Sequence, residues 1–256
     1  MMGFRVLRIK ELREQFRTNR IVAVAAVFVL FGILGVLTDR YMKQLFDAIG
    51  SESAGMTFQV PPPSLAGASA QILKNLSQFG IICALLLAMG SVAWEKERGT
   101  AGMIMTKPAS RAAFLAAKLA AISINLGVAV VLGCGLAYVY VVLLYPEAFP
   151  IGGYVAMSVL LWWTLVIFAA ITMLGSTVTR SAIAAAGIGL VALLVVGIIG
   201  ALPVVGPYMP SSLGQPASDL VLGKDPGNFL GPLLFNIALV PVLFGATWLA
   251  FRHQEL

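Results

Sequence analysis

Residues 94 to 118 read WEKERGTAGMIMTKPASRAAFLAAK, a charged stretch in a chain that is otherwise mostly apolar. Glu95, Lys96, Glu97 and Arg98 stand in a row, Lys107, Arg111 and Lys118 follow, and from Leu119 to Gly153 the only charge is Glu147. Hydrocarbon does not accept such a run of ionised groups, so the stretch lies in water between two segments that do not. It reads as a helical elbow between membrane helices.

Composition agrees. The chain has 256 residues, of which 59% are hydrophobic and 11% charged, where a soluble domain has about a quarter of its residues charged. A helix needs about 20 apolar residues to cross the hydrocarbon core. Six charge-free windows approach or reach that length, at about 21–37, 76–93, 119–144, 154–178, 182–202 and 229–251. Runs this long are not the alternating strands of about ten residues that build a membrane barrel. The expected fold class is therefore an all-α integral membrane protein, a single transmembrane domain over residues 1–256.

The formal net charge is +6, and its distribution says what it is for. An even number of spans puts both termini on one side. That side holds Arg5, Arg8, Lys10, Arg13, Arg17, Arg20, Lys96, Arg98, Lys107, Arg111, Lys118, Arg180 and Arg252, against Arg40, Lys43, Lys74 and Lys224 on the other. By the positive-inside rule both termini and the 94–118 elbow are expected in the cytoplasm. The basic excess reports orientation and contact with anionic membrane lipid, and no nucleic acid is expected as a partner.

Residues 2–20 place Met2, Val6, Ile9, Leu12 and Phe16 on one stripe, with Arg8, Lys10, Glu11, Glu14 and Arg17 off it. This is the pattern of an amphipathic helix lying in the inner interface. Outside, residues 38–75 form a loop, with a short helix expected over 39–49, an extended stretch at Pro61, Pro62 and Pro63, and helix again from Ser64. Turns at 145–153 and 179–181 make spans three to five a series of hairpins. Ser181, Ala185 and Gly189 form a small-residue packing face on span five. The proline-rich segment 203–228 breaks any long helix, and its middle, Ser218–Leu222, reads either as a short re-entrant or surface helix or as a plain exposed loop. Cys83 and Cys134 read as buried thiols.

Catalysis or ion coupling inside the membrane needs ionisable groups there. None of the six windows holds one well inside, and the single histidine, His253, is near the C-terminus. No catalytic residue, metal site or cofactor is expected, and GxxxxGK[ST], the phosphate-binding loop, does not occur. Any work done on the spans must enter from a partner. In the elbow, Gly99 ends the second span, Ala101–Met105 can form a short helix with Met103, Ile104 and Met105 exposed, and Lys107-Pro108 stops it. Ser110 is placed to cap the helix that runs into span three. A charged, methionine-bearing helix of this kind fits a groove in another protein.

These residues, Glu95, Glu97, Arg98, Gly99, Thr100, Lys107, Pro108, Ser110, Arg111, Phe114 and Lys118, resemble the E-x-E-R-G-T and K-P-x-S-R-x-x-F-x-x-x-K pattern of the permease subunit of type-2 ATP-binding-cassette (ABC) exporters. The resemblance implies a dimer of permeases, most simply a homodimer, docked on two separately encoded ABC ATPase (nucleotide-binding) subunits in the cell membrane. It implies a coupling helix, with Gly102, Met103, Ile104, Met105 and Thr106 meeting the ATPase, while Glu95, Glu97 and Arg98 hold the elbow by salt bridges and caps, flanked by Gly99, Thr100, Lys107, Pro108, Ser110 and Arg111. The permease itself is then not an enzyme. The alternative from the residues alone is a non-transporting membrane anchor or scaffold of a multi-subunit complex, with the elbow binding a partner without ATP-driven motion.

Overall fold

The computed structural model describes residues 2–50, 62–99 and 110–254. In chain order these form α1 (Met2–Arg17), α2 (Arg20–Gly50), α3 (Leu65–Met89), α4 (Ala93–Glu97), α5 (Arg111–Leu144), α6 (Ile151–Val178) and α7 (Ala182–Gly200). Two 3-10 turns at Gly206–Tyr208 and Pro210–Leu213, then α8 (Gly214–Val221) and α9 (Leu230–Arg252), complete the order. Among the described residues there is no strand, and six helical segments are long and apolar enough to cross a membrane: α2, α3 with α4, α5, α6, α7 and α9.

The spans lie where the apolar windows put them, but the first two extend further at their ends away from the 94–118 elbow. From Val36 to Ile49 no glycine or proline interrupts the sequence, so α2 continues as one helix to Gly50 where a loop with a separate short helix was expected. On the other side of the prolines, Ser64 Oγ accepts from Gly67 N at 3.0 Å and starts α3 at Leu65. Asp39 ties these far ends together. Its Oδ2 accepts from Ser64 N at 3.1 Å and from Tyr145 Oη at 2.6 Å. Burial, then the Asp39 carboxylate beside it, push the Tyr145 phenol well above its ordinary range and keep it a donor.

Where lipid removes the hydrophobic drive, helices associate by close packing. The closest approach here runs through α2. A Cβ on Gly32 would lie 2.7 Å from the Gly133 carbonyl oxygen of α5, and one on Gly133 2.8 Å from the Phe28 carbonyl oxygen. Three residues along α2, a Cβ on Gly35 would lie 2.9 Å from Ile72 Cα of α3. Glycine at these positions lets α2 lie backbone to backbone against two neighbours. α6 is the hub: every residue from Thr164 to Ala170 is buried, among α3, α5, α7, α8 and α9.

The small-residue face of α7 packs within the chain. Ala185 and Gly189 are buried, and a Cβ on Gly189 would lie 2.6 Å from Thr172 Oγ1 of α6. In the proline-rich segment 203–228 the short helix is α8, whose Ala217 and Val221 are buried against α6 and α3. α9 is the least covered, with only Asn236, Thr247 and Phe251 buried along it.

Candidate functional site

The flanks of the elbow are described to Gly99 on one side and from Ser110 on the other; Thr100, Gly102, Met103, Ile104, Met105, Thr106, Lys107 and Pro108 lie outside the described residues. Both flanks are held by neighbours distant in sequence.

The second span breaks once before it reaches the elbow. α3 ends at Met89, and Gly90–Val92 turn the chain into α4; a Cβ on Gly90 would fall on the Trp94 indole. A break inside a membrane helix leaves backbone groups to be satisfied from elsewhere. Ser176 of α6 does this. Its Oγ accepts from Val92 N at 3.1 Å and Ala93 N at 2.9 Å, and donates to Met89 O at 2.8 Å. The short helix then ends at Gly99, whose φ of +66° and open surroundings suit glycine.

Beyond the break each charged side chain goes its own way. Lys118, at the start of the third span, is 4% exposed. Its Nζ lies 2.8 Å from Glu95 Oε1 and 3.3 Å from both carboxylate oxygens of Glu11 in α1. Lys10 closes the group from the surface, 3.7 Å from Glu11 and 3.9 Å from Glu95. Two turns further along α5, the buried Asn125 donates to Gln15 Oε1 at 2.8 Å. These bonds set the face of α1. Glu11 and Gln15, one helical turn apart, turn to the bundle, while Val6, Ile9 and Phe16 are left exposed.

Lys96 donates to the Thr177 carbonyl, at the C-terminal end of α6, and lies 3.4 Å from Thr179 O. Gln254 Nε2 reaches the same Thr177 carbonyl at 2.8 Å. On the far flank, Ser110 Oγ accepts from Ala113 N at 3.1 Å and caps α5. Arg111 Nη1 donates to Phe251 O at 3.1 Å and Arg252 O at 2.7 Å, the last carbonyls of α9. A cation placed on unpaired helix-end carbonyls satisfies them and opposes the helix dipole. Phe114 and Phe251 stack beneath, within a small apolar cluster with Val92, Leu115 and Met173.

Of the expected site residues, the described part therefore brings Glu95 and Arg111 into contact with other helices, uses Ser110 to cap its own helix α5, and leaves Glu97, Arg98 and Gly99 exposed. Lys96, Lys118, Ser176, Glu11 and Gln15 join them, none of which was expected as a site residue. The pairing had a trace in the sequence. Glu11 and Gln15 share a face of α1, and Lys118 and Asn125 share a face of the third span, so the two polar pairs can meet at one crossing.

Comparison with known proteins follows the same lines. A family model described as ABC-2 family transporter protein matches residues 5–220. A protein of Bacillus subtilis (strain 168), described as uncharacterized transmembrane protein YxlG, is 27% identical over 249 residues, covering 96% of each chain.

Proposed function

The chain belongs to the ABC-2 transporter family, and from that premise we propose that it is the permease subunit of an ATP-driven exporter of the cytoplasmic membrane. Both termini and residues 94–118 are in the cytoplasm. Two copies form the pathway, and each carries a separately encoded nucleotide-binding ATPase at Gly102–Thr106. The stripe of Val6, Ile9 and Phe16 on α1 lies in the inner leaflet. The chemistry of ATP hydrolysis belongs to the partner, and this chain converts the partner's closure into helix movement.

The observation that supports this reading is where the elbow's flanks are tied. Glu95 and Lys118 reach α1, Lys96 reaches the end of α6, and Arg111 reaches the end of α9. A push on the segment between Gly99 and Ser110 is then felt at once by three helices in addition to the two that carry it. A loop that only separated two spans would need none of these attachments.

The test is purification of the chain from its host, with identification of what accompanies it. A phosphate-loop ATPase in equal amount, lost on deleting Gly102–Thr106, is the expected result. An ATPase that stays bound after that deletion, or none at all, would replace the exporter reading with that of a membrane anchor.

A further inference from the structure

Beneath α1, where it crosses the break between α3 and α4, the structure holds a cavity of about 450 Å³. Its charges divide into two sets. Lys10 and Lys118 meet Glu11 and Glu95, a group of two cations and two carboxylates. What else lines the cavity with charge is Arg20, Arg98 and Glu14, and among the described residues neither arginine makes an ion pair.

The donors on the lining are open to an acceptor. Arg20 lies over the Trp94 ring at 4.9 Å from its centroid, and a guanidinium carries five N–H donors, more than one ring contact can use. Gln15 is 7% exposed and lines the same cavity. Its amide oxygen accepts from Asn125, and among the described residues its NH2 has no hydrogen bond. The cavity thus offers a ligand the N–H groups of Arg20, Arg98 and the Gln15 amide, all on its lining. The floor is apolar, formed by Leu87 and Ile122 of the second and third spans.

We propose that this cavity binds the phosphate of an anionic phospholipid from the adjoining leaflet. Arg20, Arg98 and the Gln15 NH2 donate to the phosphate oxygens, and the start of the acyl chains runs past Leu87 and Ile122. A metal cation is disfavoured because the lysines already meet the buried carboxylates. A free soluble phosphate has no use for an apolar floor at the membrane surface. The inference does not depend on the ATPase partner.

The test uses the full chain in bilayer discs of phosphatidylcholine and phosphatidylglycerol in equal parts, with the lipids retained on extraction counted by mass spectrometry. The wild-type chain is expected to retain phosphatidylglycerol selectively, and the double variant R20Q/R98Q to lose about tenfold of that selectivity. R13Q/R17Q removes the same charge from α1 away from the cavity and should retain it. Gln15→Glu keeps the acceptor for Asn125 but sets a carboxylate against the phosphate, and should lose selectivity even if the arginine variant does not fold. Equal loss in both double variants, meaning surface attraction alone, would overturn the proposal. So would retention in R20Q/R98Q and Gln15→Glu, or displacement of the lipid by inorganic phosphate.

Discussion

At Lys118 one ammonium serves two carboxylates from two other segments, and all three side chains are at most 15% exposed. Removing the lysine alone takes from Glu11 and Glu95 the buried ammonium that both of them meet. Breaking such a buried group costs about 3–5 kcal/mol. Lys118→Met should therefore lower the thermal unfolding midpoint of the detergent-solubilised chain sharply, and the neutral triple variant K118M/E11Q/E95Q should recover most of the loss. No recovery would mean that Lys118 acts through its packing on Phe114 and not through charge. Ser176→Ala is a second case at this scale. It leaves the amides of Val92 and Ala93 without their acceptor, at about 1–3 kcal/mol for each buried group left unmade, and should speed hydrogen exchange at those two amides first. Glu97 is exposed, and Glu97→Ala should change stability by less than about 0.5 kcal/mol. In the assembled transporter the same variant should uncouple ATP hydrolysis from transport, read as a changed substrate-stimulated ATPase rate with normal membrane insertion.

Among elements, the helices differ in how their contacts were legible. The six spans could be read from the sequence because length without charge is a property of each segment alone. The cap of α5 at Ser110 and the stop at Gly99 could be read for the same reason. The break at Gly90–Val92 could not, because its stability comes from Ser176, 87 residues from Met89. Nor could the role of the glycines in α5, where Gly133 and Gly135 look alike in sequence. A Cβ at Gly133 meets the backbone of α2 at 2.8 Å, whereas one at Gly135 meets nothing within 4 Å. Gly133→Ala should thus destabilise by about 1–3 kcal/mol through forced separation of α2 and α5. Gly135→Ala should be neutral or stabilising by up to about 1 kcal/mol, as alanine is the better helix former. Unfolding midpoints of the two variants compared side by side check this; equal effects would show that α2 and α5 do not touch at Gly133.

For the whole molecule, orientation can be checked with the chain's own chemistry. Cys83 and Cys134 are buried, so an impermeant thiol reagent has little background to contend with. Ser110 and Glu147 are exposed at opposite ends of α5 and of the turn that follows it. Cysteine at Ser110 should be labelled only from the cytoplasmic face of sealed vesicles, and cysteine at Glu147 only from the outer face. The reverse pattern would invert the topology and place the elbow where no ATPase could reach it.

The Lys118 group also sets an order in time. Glu11 precedes Lys118 by 107 residues, which at a synthesis rate of about 5–20 residues per second is an interval of about 5–20 s. During it Glu11 and Gln15, the polar side chains that α1 turns inward, have neither Lys118 nor Asn125 to meet, because those residues do not yet exist. α1 therefore settles only after the third span has entered the membrane. Nascent chains stalled before Ser110 emerges should be cut readily by trypsin at Arg17 and Arg20, and chains stalled after Leu144 has emerged should resist.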